Sequence, residues 1–451
     1  MSPDAAPGWW LQRASARSPN PGRPPLQDHL EADIVVVGAG FTGLWTAIRV
    51  AELDPSLRIV VLERETVGFG ASGRNGGFAM TMVGRSLHDL VRKVGLRSAR
   101  AIHLAMIETL TDIERFCVAE GIQADVTRPG LLTVSNGPEQ DVRIQQDLAA
   151  AARLGLQDLI LVGAAECREL VVAEGVRLGH FEANSLLVNP AALVLGLAGA
   201  AERRGVTIFE HTPMEQTEVT RSGLIVRTPE GAVQARCGLI ATNAYAHAIP
   251  QLRRFLFTIC ASIVCTEPLT AAQWDRVGWA RRMGIEDRRV MPHFHRPTPD
   301  GRILWGGRDA PVSSIGPDPR RDRDPRVIRR LEETFRQTFP QLHDVAITEA
   351  WGGPVAATVS CLPTVGWLHR GRLAYALGYS GHGVGPTALL ARVVADLVLE
   401  RSSGLLRLPF VTRRPFPLPP GPVRWPLLGA AQRVLQAADD RGGARGPVGR
   451  G

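Results

Sequence analysis

The sequence predicts an α/β fold with α+β elements, in which a parallel sheet flanked by helices is interleaved with a second, mixed sheet. The first observation is a β-branched run, 33-DIVVV-37, that leads into a glycine-rich turn and a helical pattern. The second is that strand and helix patterns return at 188–214 and 377–399, far along the chain. The third is a set of short strand patterns between them, at 258–267, 290–295 and 302–307. Neither domain is therefore expected to be continuous in sequence.

Composition and charge exclude several classes of protein. The 451 residues leave room for two or three domains, and 45% apolar with 21% charged residues is ordinary for a globular enzyme. The net charge of +8 comes almost entirely from arginine, with Lys93 the only lysine, and no basic stripe is interleaved with aromatic residues. Nucleic-acid binding is therefore not predicted. No stretch of about 18 apolar residues is free of charge, so no integral membrane segment is predicted.

The N-terminal segment and the cysteines predict a cytoplasmic protein. The first 25 residues lack the apolar centre of a secretory signal. The six cysteines include no CxxC pair and no zinc-like spacing, so we expect reduced thiols and no metal site. Residues 1–30 are expected to form an extended arm, which Trp9, Trp10 and Leu11 pin to the body of the protein.

The strongest motif is a dinucleotide-binding fingerprint. Gly38, Gly40 and Gly43 follow the first strand in the G-x-G-x-x-G spacing, and a helical pattern follows them. In such a turn the first glycine allows the tight bend, the second lets the backbone touch a pyrophosphate, and the third packs the helix on the strand. The phosphates are expected at the helix N-terminus. Glu63 ends a second strand, 25 residues after Gly38, where an acid holds a ribose hydroxyl.

The next segment favours FAD over NAD. The stretch 68-GFGASGRNGGFAM-80 begins only five residues after Glu63, where an NAD-binding domain usually continues with another helix. A glycine-rich segment at the carboxyl edge of the sheet lies where a longer cofactor extends from its pyrophosphate toward its reactive ring. We therefore expect this stretch, called the flavin loop below, to approach a flavin, with Arg74 and Asn75 beside it.

The combination GxGxxG, Glu63 and GASGRNGG resembles the D-amino-acid oxidase superfamily of FAD-dependent amine oxidoreductases, and most of all its gamma-glutamylputrescine oxidoreductase group. Four further segments fit this resemblance, and together the matches extend over about residues 8–440: 188–214, 239-LIATNAYAH-247, 350–366 and 377-LGYSGHGVG-385. The resemblance implies FAD contacts at Gly38, Gly40, Phe41, Thr42, Gly43, Glu63, Arg64, Gly70, Ala71, Ser72, Arg74, Asn75, Gly76, Gly77, Met214, Thr242, Asn243, Gly378, Ser380, Gly381, His382, Gly383 and Val384.

The resemblance also implies the domain division. A discontinuous Rossmann-like FAD-binding domain of the glutathione-reductase type is expected to comprise 1–95, 185–250 and 350–405. A mixed-sheet substrate domain is expected to comprise 96–184 and 251–349, with a helix at 99–120 and the start of a solvated helix at 319–330. A C-terminal tail, 406–451, is expected to contain a short helix at 423–435 and to end in disorder.

Three positions depart from the pattern of the relatives. Ser360 stands where an acid is common, which leaves the role of that acid open. Gly353 matches the position at which sarcosine-oxidase-like relatives carry a flavin-linked cysteine, and Cys361 lies on the other side of Thr358, so the FAD is expected to be non-covalent. Leu304 matches the position of an oxygen-activating lysine. Arg74 or a protonated histidine is then left to replace that charge, or the electrons go to an acceptor other than O2.

The resemblance implies oxidation of a C–N bond in a small primary or secondary amine, such as gamma-glutamylputrescine, an N-alkyl amino acid or an aminophosphonate. Hydride transfer to flavin N5 gives an imine, hydrolysis gives an aldehyde, and O2 is reduced to H2O2. The catalytic candidates are His382, Arg74 and His293, with His295 on the same strand face as His293. His382 either moves protons or orders its loop, and His293 either lines the pocket or has a structural role.

Three alternatives remain open from the sequence. The first is an amine dehydrogenase with an acceptor other than O2. The second is an NAD(P)H-dependent flavin monooxygenase, although the chain has only one dinucleotide fingerprint. The third is a binding protein whose FAD is structural. The sequence does not indicate which amine is the substrate or what the oligomeric state is.

Overall fold

The computed structural model describes residues 8–17, 22–308, 310–313, 315–412 and 415–441. The disorder predicted for the end of the tail falls on residues 442–451, outside the described residues. Part of the predicted N-terminal arm, 1–7 and 18–21, lies outside them as well.

The strands are β1 His29–Val37, β2 Ile59–Leu62, β3 Phe78–Ala79, β4 Leu131–Val134, β5 Leu159–Val162, β6 Gly179–Glu182, β7 Leu186–Leu187, β8 Thr207–Phe209, β9 Gln216–Val219, β10 Leu224–Arg227, β11 Ala232–Ile240, β12 Phe257–Thr266, β13 Gly284–Asp287, β14 His293–Pro297, β15 Ile303–Gly307, β16 Val312–Ser313, β17 Ile347–Ala357, β18 Thr364–His369 and β19 Leu373–Leu377. The helices are α1 Trp9–Arg17, α2 Phe41–Leu53, α3 Leu87–Val94, α4 Leu96–Ala119, α5 Pro138–Leu154, α6 Ala164–Leu170, α7 Pro190–Arg203, α8 Pro250–Arg253, α9 Ala271–Val277, α10 Pro325–Thr338, α11 Val384–Val398 and α12 Gly421–Arg441.

The first sheet has the order β18-β19-β11-β1-β2-β8, and β10 and β9 extend from the edge of β11. The pairs β19–β11, β11–β1, β1–β2 and β2–β8 are parallel, whereas β18–β19 is antiparallel. Helices α2, α7 and α11 cover one face, where Leu44, Leu193 and Leu389 are fully buried in one core. Because these strands come from the first, middle and last parts of the chain, the predicted discontinuity of the Rossmann-like domain is confirmed.

The second sheet is mixed and has the order β16-β12-β15-β14-β13-β4-β6-β5, with β17 paired to β12. One face carries an aromatic core built by Trp279, Phe335 and Phe339 with α10. The opposite face, called the cofactor-side face below, carries Ile263 and Trp351, which pack with α1. The α/β fold with an interleaved mixed sheet is therefore as predicted. Strand β17 begins at Ile347 and pairs within this second sheet, although 350–357 fall in a segment predicted for the FAD domain.

The N-terminal arm is not extended throughout, because residues 9–17 form α1. Trp9, Trp10 and Leu11 are buried, so the predicted attachment to the body is correct. The ring of Trp9 stacks on Trp351, with centroids 5.4 Å apart and planes at 18°. The proline-rich sequence around it did not predict a helix. Helix α1 is stabilised mainly by burial of its apolar residues against the rest of the protein.

The other predicted helices occur with different bounds. Helix α4 contains nearly all of the predicted 99–120 helix. The 319–330 segment forms one 3₁₀ turn, Pro319–Arg321, before α10 begins at Pro325, where the Asp324 carboxylate accepts from the Arg326 backbone N–H. Helix α12 is longer than the predicted 423–435. Among the described residues, no helix is long and apolar enough to cross a membrane.

Replacing Trp9 with alanine tests the attachment of α1. Trp9 is 5% exposed and stacked, so Trp9→Ala should lower the free energy of unfolding by about 3 kcal/mol. Trp425→Ala, at a side chain 64% exposed on α12, is the matched control and should leave stability nearly unchanged. Thermal unfolding measures both, and equal melting temperatures for the two variants would contradict the role given to α1.

Candidate functional site

A single cleft runs along the carboxyl ends of β1, β2, β11 and β19. It is lined by Val37, Gly38, Gly40, Phe41, Thr42, Leu62, Glu63, Arg64, Gly68, Phe69, Gly70, Ala71, Ser72, Asn75, Thr212, Met214, Ala241, Thr242, Asn243, Tyr245, Ala248, Ile249, Val355, Tyr379, Gly381, Gly383, Val384 and Thr387. Ligands of open α/β sheets bind at this edge of the strands, so this cleft is the candidate cofactor site.

The glycine turn after β1 is shaped as its sequence predicts. Gly38 has φ +108°, and a Cβ there would lie 2.8 Å from the carbonyl oxygen of Ala241. A Cβ on Gly43 would lie 1.9 Å from the carbonyl oxygen of Gly38, so α2 is pressed onto the turn. Helix α2 then begins at Phe41. Its N-cap residue, Gly40, has no side chain that could cap the helix, so the helix N-terminus faces the cleft. The backbone N–H of Phe41 donates to Ser72 Oγ at 2.9 Å.

Glu63 stands at the end of β2 and lines the cleft. Its Oε2 accepts from the backbone N–H of Ala39 at 2.8 Å, and its Oε1 accepts from the N–H of Glu65 at 3.0 Å. Burial raises the pKa of the Glu63 carboxyl. The side chain is therefore fixed against the glycine turn, at the position from which it can accept hydrogen bonds from a ribose.

The flavin loop is held closely between two parts of the protein. A Cβ on Gly76 would lie 2.9 Å from the Phe294 ring, and a Cβ on Gly77, whose φ is +76°, would lie 2.1 Å from the carbonyl oxygen of Val188. These two glycines therefore allow contact with β14 and with the segment before α7. The members of the loop that line the cleft are Gly68, Phe69, Gly70, Ala71, Ser72 and Asn75.

Of the predicted cofactor-binding residues, sixteen line the cleft: Gly38, Gly40, Phe41, Thr42, Glu63, Arg64, Gly70, Ala71, Ser72, Asn75, Met214, Thr242, Asn243, Gly381, Gly383 and Val384. The other seven lie beside it: Gly43, Arg74, Gly76, Gly77, Gly378, Ser380 and His382. Thr242 Oγ1 and Asn243 Oδ1 are buried, and neither has a hydrogen-bond partner among the described residues. Unsatisfied polar atoms in a glycine-lined cleft fit a bound polar cofactor such as a dinucleotide.

Arg74 is turned away from the cleft. Its guanidinium donates to the carbonyl oxygens of Phe69 at 2.8 Å and Gly352 at 3.1 Å, and to Asp322 Oδ2 at 2.7 Å. The backbone carbonyl of Arg74 accepts from Trp351 Nε1 at 2.8 Å. Arg74 therefore fastens the flavin loop to β17 and to the segment before α10.

His382 lies in the turn that precedes α11. Its backbone N–H donates to the Tyr379 carbonyl at 3.1 Å, and its Nδ1 is buried without a partner among the described residues. Loss of water contact lowers the pKa of the His382 imidazole, so the ring is neutral at neutral pH. His382 directly precedes Gly383 and Val384, which line the cleft at the N-terminus of α11.

His293 and His295 share one face of β14, as the alternation predicts, but that face is opposite the cofactor-side face. Both rings pack on Trp305, with centroids 4.9 and 4.7 Å away. His293 Nδ1 lies 3.1 Å from Asp287 Oδ2. Neither histidine lines the cleft, because the opposite face of β14, with Phe294 and Arg296, is the one that meets the flavin loop.

Several lining residues were not predicted as cofactor contacts. Tyr379 is one of them, and its hydroxyl accepts from Thr42 Oγ1 at 2.8 Å across the cleft. Phe69 belongs to the flavin loop, and Thr212 lies two residues before Met214, so adjacency to predicted residues was a usable signal. Val355 on β17 had none, because only the pairing of β17 with β12 brings it to the cleft.

The fold and the cleft define a dinucleotide-binding oxidoreductase, and comparison with known proteins specifies the family. Residues 33–397 match the model of the DAO family, FAD dependent oxidoreductase. The chain therefore belongs to this family, and FAD is its cofactor.

Curated relatives extend over most of the chain. It is 31% identical over 423 residues to the gamma-glutamylputrescine oxidoreductase of Escherichia coli, which covers 91% of this chain and 94% of that protein. It is 31% identical over 386 residues to "Probable oxidoreductase OrdL" of Haemophilus influenzae, which covers 83% of this chain and 85% of that protein. Among solved structures, glycine oxidase from Geobacillus kaustophilus has a TM-score of 0.70 at 20% identity, over 85% of this chain and 99% of that one. That likeness supports the fold.

Replacing Glu63 with glutamine tests its place in the FAD site. Glu63→Gln keeps the size of the side chain but replaces one carboxylate acceptor with an amide, so FAD should dissociate about tenfold more readily. Glu31→Gln, whose side chain is 74% exposed on β1, is the matched control. The flavin-to-protein absorbance ratio after dialysis and the FAD dissociation constant measure the effect. Equal retention by both variants would exclude Glu63 as an FAD ligand.

Proposed function

We propose that this protein is an FAD-dependent amine oxidoreductase that oxidises the C–N bond of a small primary or secondary amine. The observation that carries the proposal is the polarity of the cleft. Glu63 and Arg64, at the end near β2, are the charged side chains that line it within the described part of the chain. The other end, near β19, is lined by Val355, Tyr379 and neighbouring apolar groups.

The walls near β19 favour a neutral amine over an ammonium ion. Burial raises the pKa of the Tyr379 phenol there, so it is un-ionised. At the other end, where the Arg64 guanidinium lies over the Tyr245 ring, burial raises the pKa of Tyr245 to about 12. An apolar wall disfavours a charged ligand, which lowers the pKa of a bound amine and leaves its nitrogen lone pair free. The neutral amine is the form that can release a hydride from the adjacent carbon.

The residues of the chain hold the cofactor and position the substrate. The glycine turn and the N-terminus of α2 fit the pyrophosphate, Glu63 the ribose, and the flavin loop with the α11 N-terminus the ring. FAD, when bound, supplies the hydride acceptor. The partial positive charge of the α11 N-terminus, at Gly383 and Val384, favours the negative charge that reduction brings to that end of the cleft. Loss of hydride converts the neutral amine to an iminium ion, which water hydrolyses to an aldehyde and the protonated leaving nitrogen, ammonium from a primary amine or an alkylammonium from a secondary one.

In this arrangement no side chain has to accept a proton from the amine. The candidates His382, Arg74 and His293 lie outside the lining of the cleft, so we give them positioning or structural roles. The ammonium form of the substrate gives its proton to water as it leaves the solvent and binds. The protein then contributes orientation and exclusion of water.

The FAD is proposed to be non-covalent. Gly353 has no side chain to offer, and a Cβ there would lie 2.9 Å from Arg74 Cδ, so Arg74 occupies the adjacent space. Burial raises the pKa of the Cys260 thiol and of the Cys265 thiol to about 12. Neither cysteine of β12 is therefore a reactive thiolate.

The electron acceptor has two candidates. O2 would be reduced to H2O2. Leu304 favours the second candidate, an amine dehydrogenase with another acceptor, because this side chain is fully buried on the cofactor-side face with Ile263 and Trp351. An apolar group there supplies no positive charge for developing superoxide.

Anaerobic mixing of the FAD-loaded protein with amines tests the reaction class. The panel includes gamma-glutamylputrescine, sarcosine and an N-methylated aminophosphonate, and the visible flavin band is followed. At least one amine should bleach this band without NAD(P)H. Admitting air then separates the acceptors: return of the band with H2O2 indicates an oxidase, whereas return only with an added quinone or dye indicates a dehydrogenase.

A different result would assign another function. Reduction by NADPH and by no amine would overturn the proposal in favour of a monooxygenase. Flavin that stays oxidised with every donor would favour a structural role for FAD.

A further inference from the structure

A buried ion pair stands directly behind the wall of the cofactor cleft. Arg74 Nη1 lies 2.7 Å from Asp322 Oδ2, and the two side chains are 3% and 15% exposed. Arg74 belongs to the flavin loop, whereas Asp322 follows the 3₁₀ turn Pro319–Arg321 and precedes α10. We call these two residues the loop ion pair. It joins two distant parts of the chain at the edge of the cofactor site.

The loop ion pair is one side chain away from the cleft. The Arg74 guanidinium carbon lies 4.7 Å from the centre of the Phe69 ring, and Phe69 lines the cleft. Tyr245 lines the cleft as well, and Asp322, Phe69 and Tyr245 share the wall of a neighbouring cavity. Burial raises the pKa of the Tyr245 phenol, the charge of Arg74 lowers it, and the charge of Asp322 raises it. Both charges of the pair therefore act on a group in the cleft wall.

Within the loop ion pair the positive and negative charges cancel. Of the three acceptors of the Arg74 guanidinium described above, the carbonyl oxygens of Phe69 and Gly352 carry no net charge, whereas the Asp322 carboxylate does. A buried ion pair adds little net stability, because the cost of removing two charges from water offsets their attraction. Attachment of the loop therefore does not by itself explain why this contact is ionic.

Other charged groups beside the pair have partners of opposite sign. The charge of Asp318 reaches Asp322, and Asp318 Oδ1 lies 3.0 Å from Arg320 Nε. Arg64, which stacks on the Tyr245 ring, has its Nε 3.4 Å from Glu65 Oε1. Removal of one member of the loop ion pair would therefore leave a full charge at the cleft wall. In such a poorly solvated place, charges interact several times more strongly than in water.

We propose that the loop ion pair sets the reduction potential of the bound flavin, with Asp322 cancelling a positive charge that Arg74 would otherwise present to the ring. Uptake of two electrons and one proton by oxidised flavin leaves a negative charge on the ring, whereas the phosphates and riboses of FAD keep their charge. A positive charge near the ring favours the reduced form, and a negative charge favours the oxidised form. Asp322 is thus a positioning residue that acts through the charge and the placement of Arg74.

The neutral pair has a consequence for the reduced enzyme. An uncompensated arginine would stabilise reduced flavin and make it a weaker electron donor. Cancellation of that charge keeps the potential lower, so the reduced flavin passes its electrons more readily to O2 or to another acceptor. The inference requires FAD and its two-electron chemistry, and it does not depend on an amine as the substrate.

Three variants test the proposal by the sign of their effects. Asp322→Asn removes the negative charge and keeps the size of the side chain, so the midpoint potential should rise. Arg74→Gln leaves the carboxylate alone, so the potential should fall. Each should change the ratio of reduced to oxidised flavin at a fixed potential about tenfold, which is about 30 mV for a two-electron couple. The double variant Arg74→Gln/Asp322→Asn removes both charges and should lie close to the wild type.

The potential is measured anaerobically on the FAD-loaded proteins. Xanthine and xanthine oxidase supply the electrons, a reference dye reports the potential, and the flavin absorbance reports the reduced fraction. We choose pH 8, because burial raises the pKa of the Asp322 carboxyl and the group must be ionised. The flavin-to-protein absorbance ratio and the melting temperature of each variant show that FAD is bound and that the fold is kept.

A second ion pair, at the surface, gives the matched control. Arg276 Nη2 lies 2.8 Å from Asp344 Oδ2, and their side chains are far more exposed than those of the loop ion pair. Asp344→Asn makes the same chemical change as Asp322→Asn and should leave the potential unchanged. If Arg74→Gln does not retain FAD, Asp322→Glu takes its place in the series. That variant restores the carboxylate, so its potential should return toward the wild-type value.

The outcomes decide the inference whatever the substrate is. Shifts of opposite sign that cancel in the double variant support it, because a loosened loop would move the potential of both single variants in the same direction. Equal potentials of the wild type and Asp322→Asn, or shifts of the same sign in both single variants, would overturn it. If no amine bleaches the flavin, the proposed function fails, and the measured potentials still decide the role of the loop ion pair.

Discussion

Two buried arginines, one from each sheet-based unit, hold the cleft in shape. Arg74 of the flavin loop donates to Gly352 on β17, and Arg296 of β14 donates to the carbonyl oxygens of Gly77 at 3.2 Å and Val188 at 2.8 Å. Each guanidinium donates to backbone carbonyls of another part of the chain, and the Gly77 carbonyl also accepts from the Val188 backbone N–H at 2.8 Å. Arg296 is 3% exposed, and this burial lowers its pKa to about 10. The flavin loop is therefore held against the mixed sheet by its own Arg74 and by Arg296 of β14.

Burial decides which form of a bound amine the cleft favours. Near β19 an apolar wall favours an uncharged nitrogen, because no charged side chain of the cleft lining lies at that end to interact with an ammonium ion. The charged side chains of the lining, Glu63 and Arg64, stand at the other end, near β2.

The sequence predicted the cofactor site better than the rest of the cleft, for physical reasons. The glycine turn and Glu63 lie within 33 contiguous residues, so a strand, a turn and a second strand suffice to place them. Alternation put His293 and His295 on one face of β14, but both faces of this strand are buried, so alternation did not select the face. Arg74 was expected beside the flavin, which stays a prediction; the acceptors of its guanidinium, Asp322 and Gly352, are distant in sequence and no local pattern indicates them. The position of Glu182 and Glu286 on one face depends on the register of β6, β4 and β13, which no local pattern specifies.

The discontinuity of the first sheet has a consequence for how the protein is made. Strand β1 pairs with β11, β11 pairs with β19, and the cleft is closed by Val384 and Thr387 of α11. Long-range pairings of this kind form late, because loop closure must precede them. The ribosome must therefore release nearly the whole family domain before the cleft exists. FAD enters a chain whose synthesis is almost complete, and until β11 has been made, the edge of β1 that pairs with it stays uncovered.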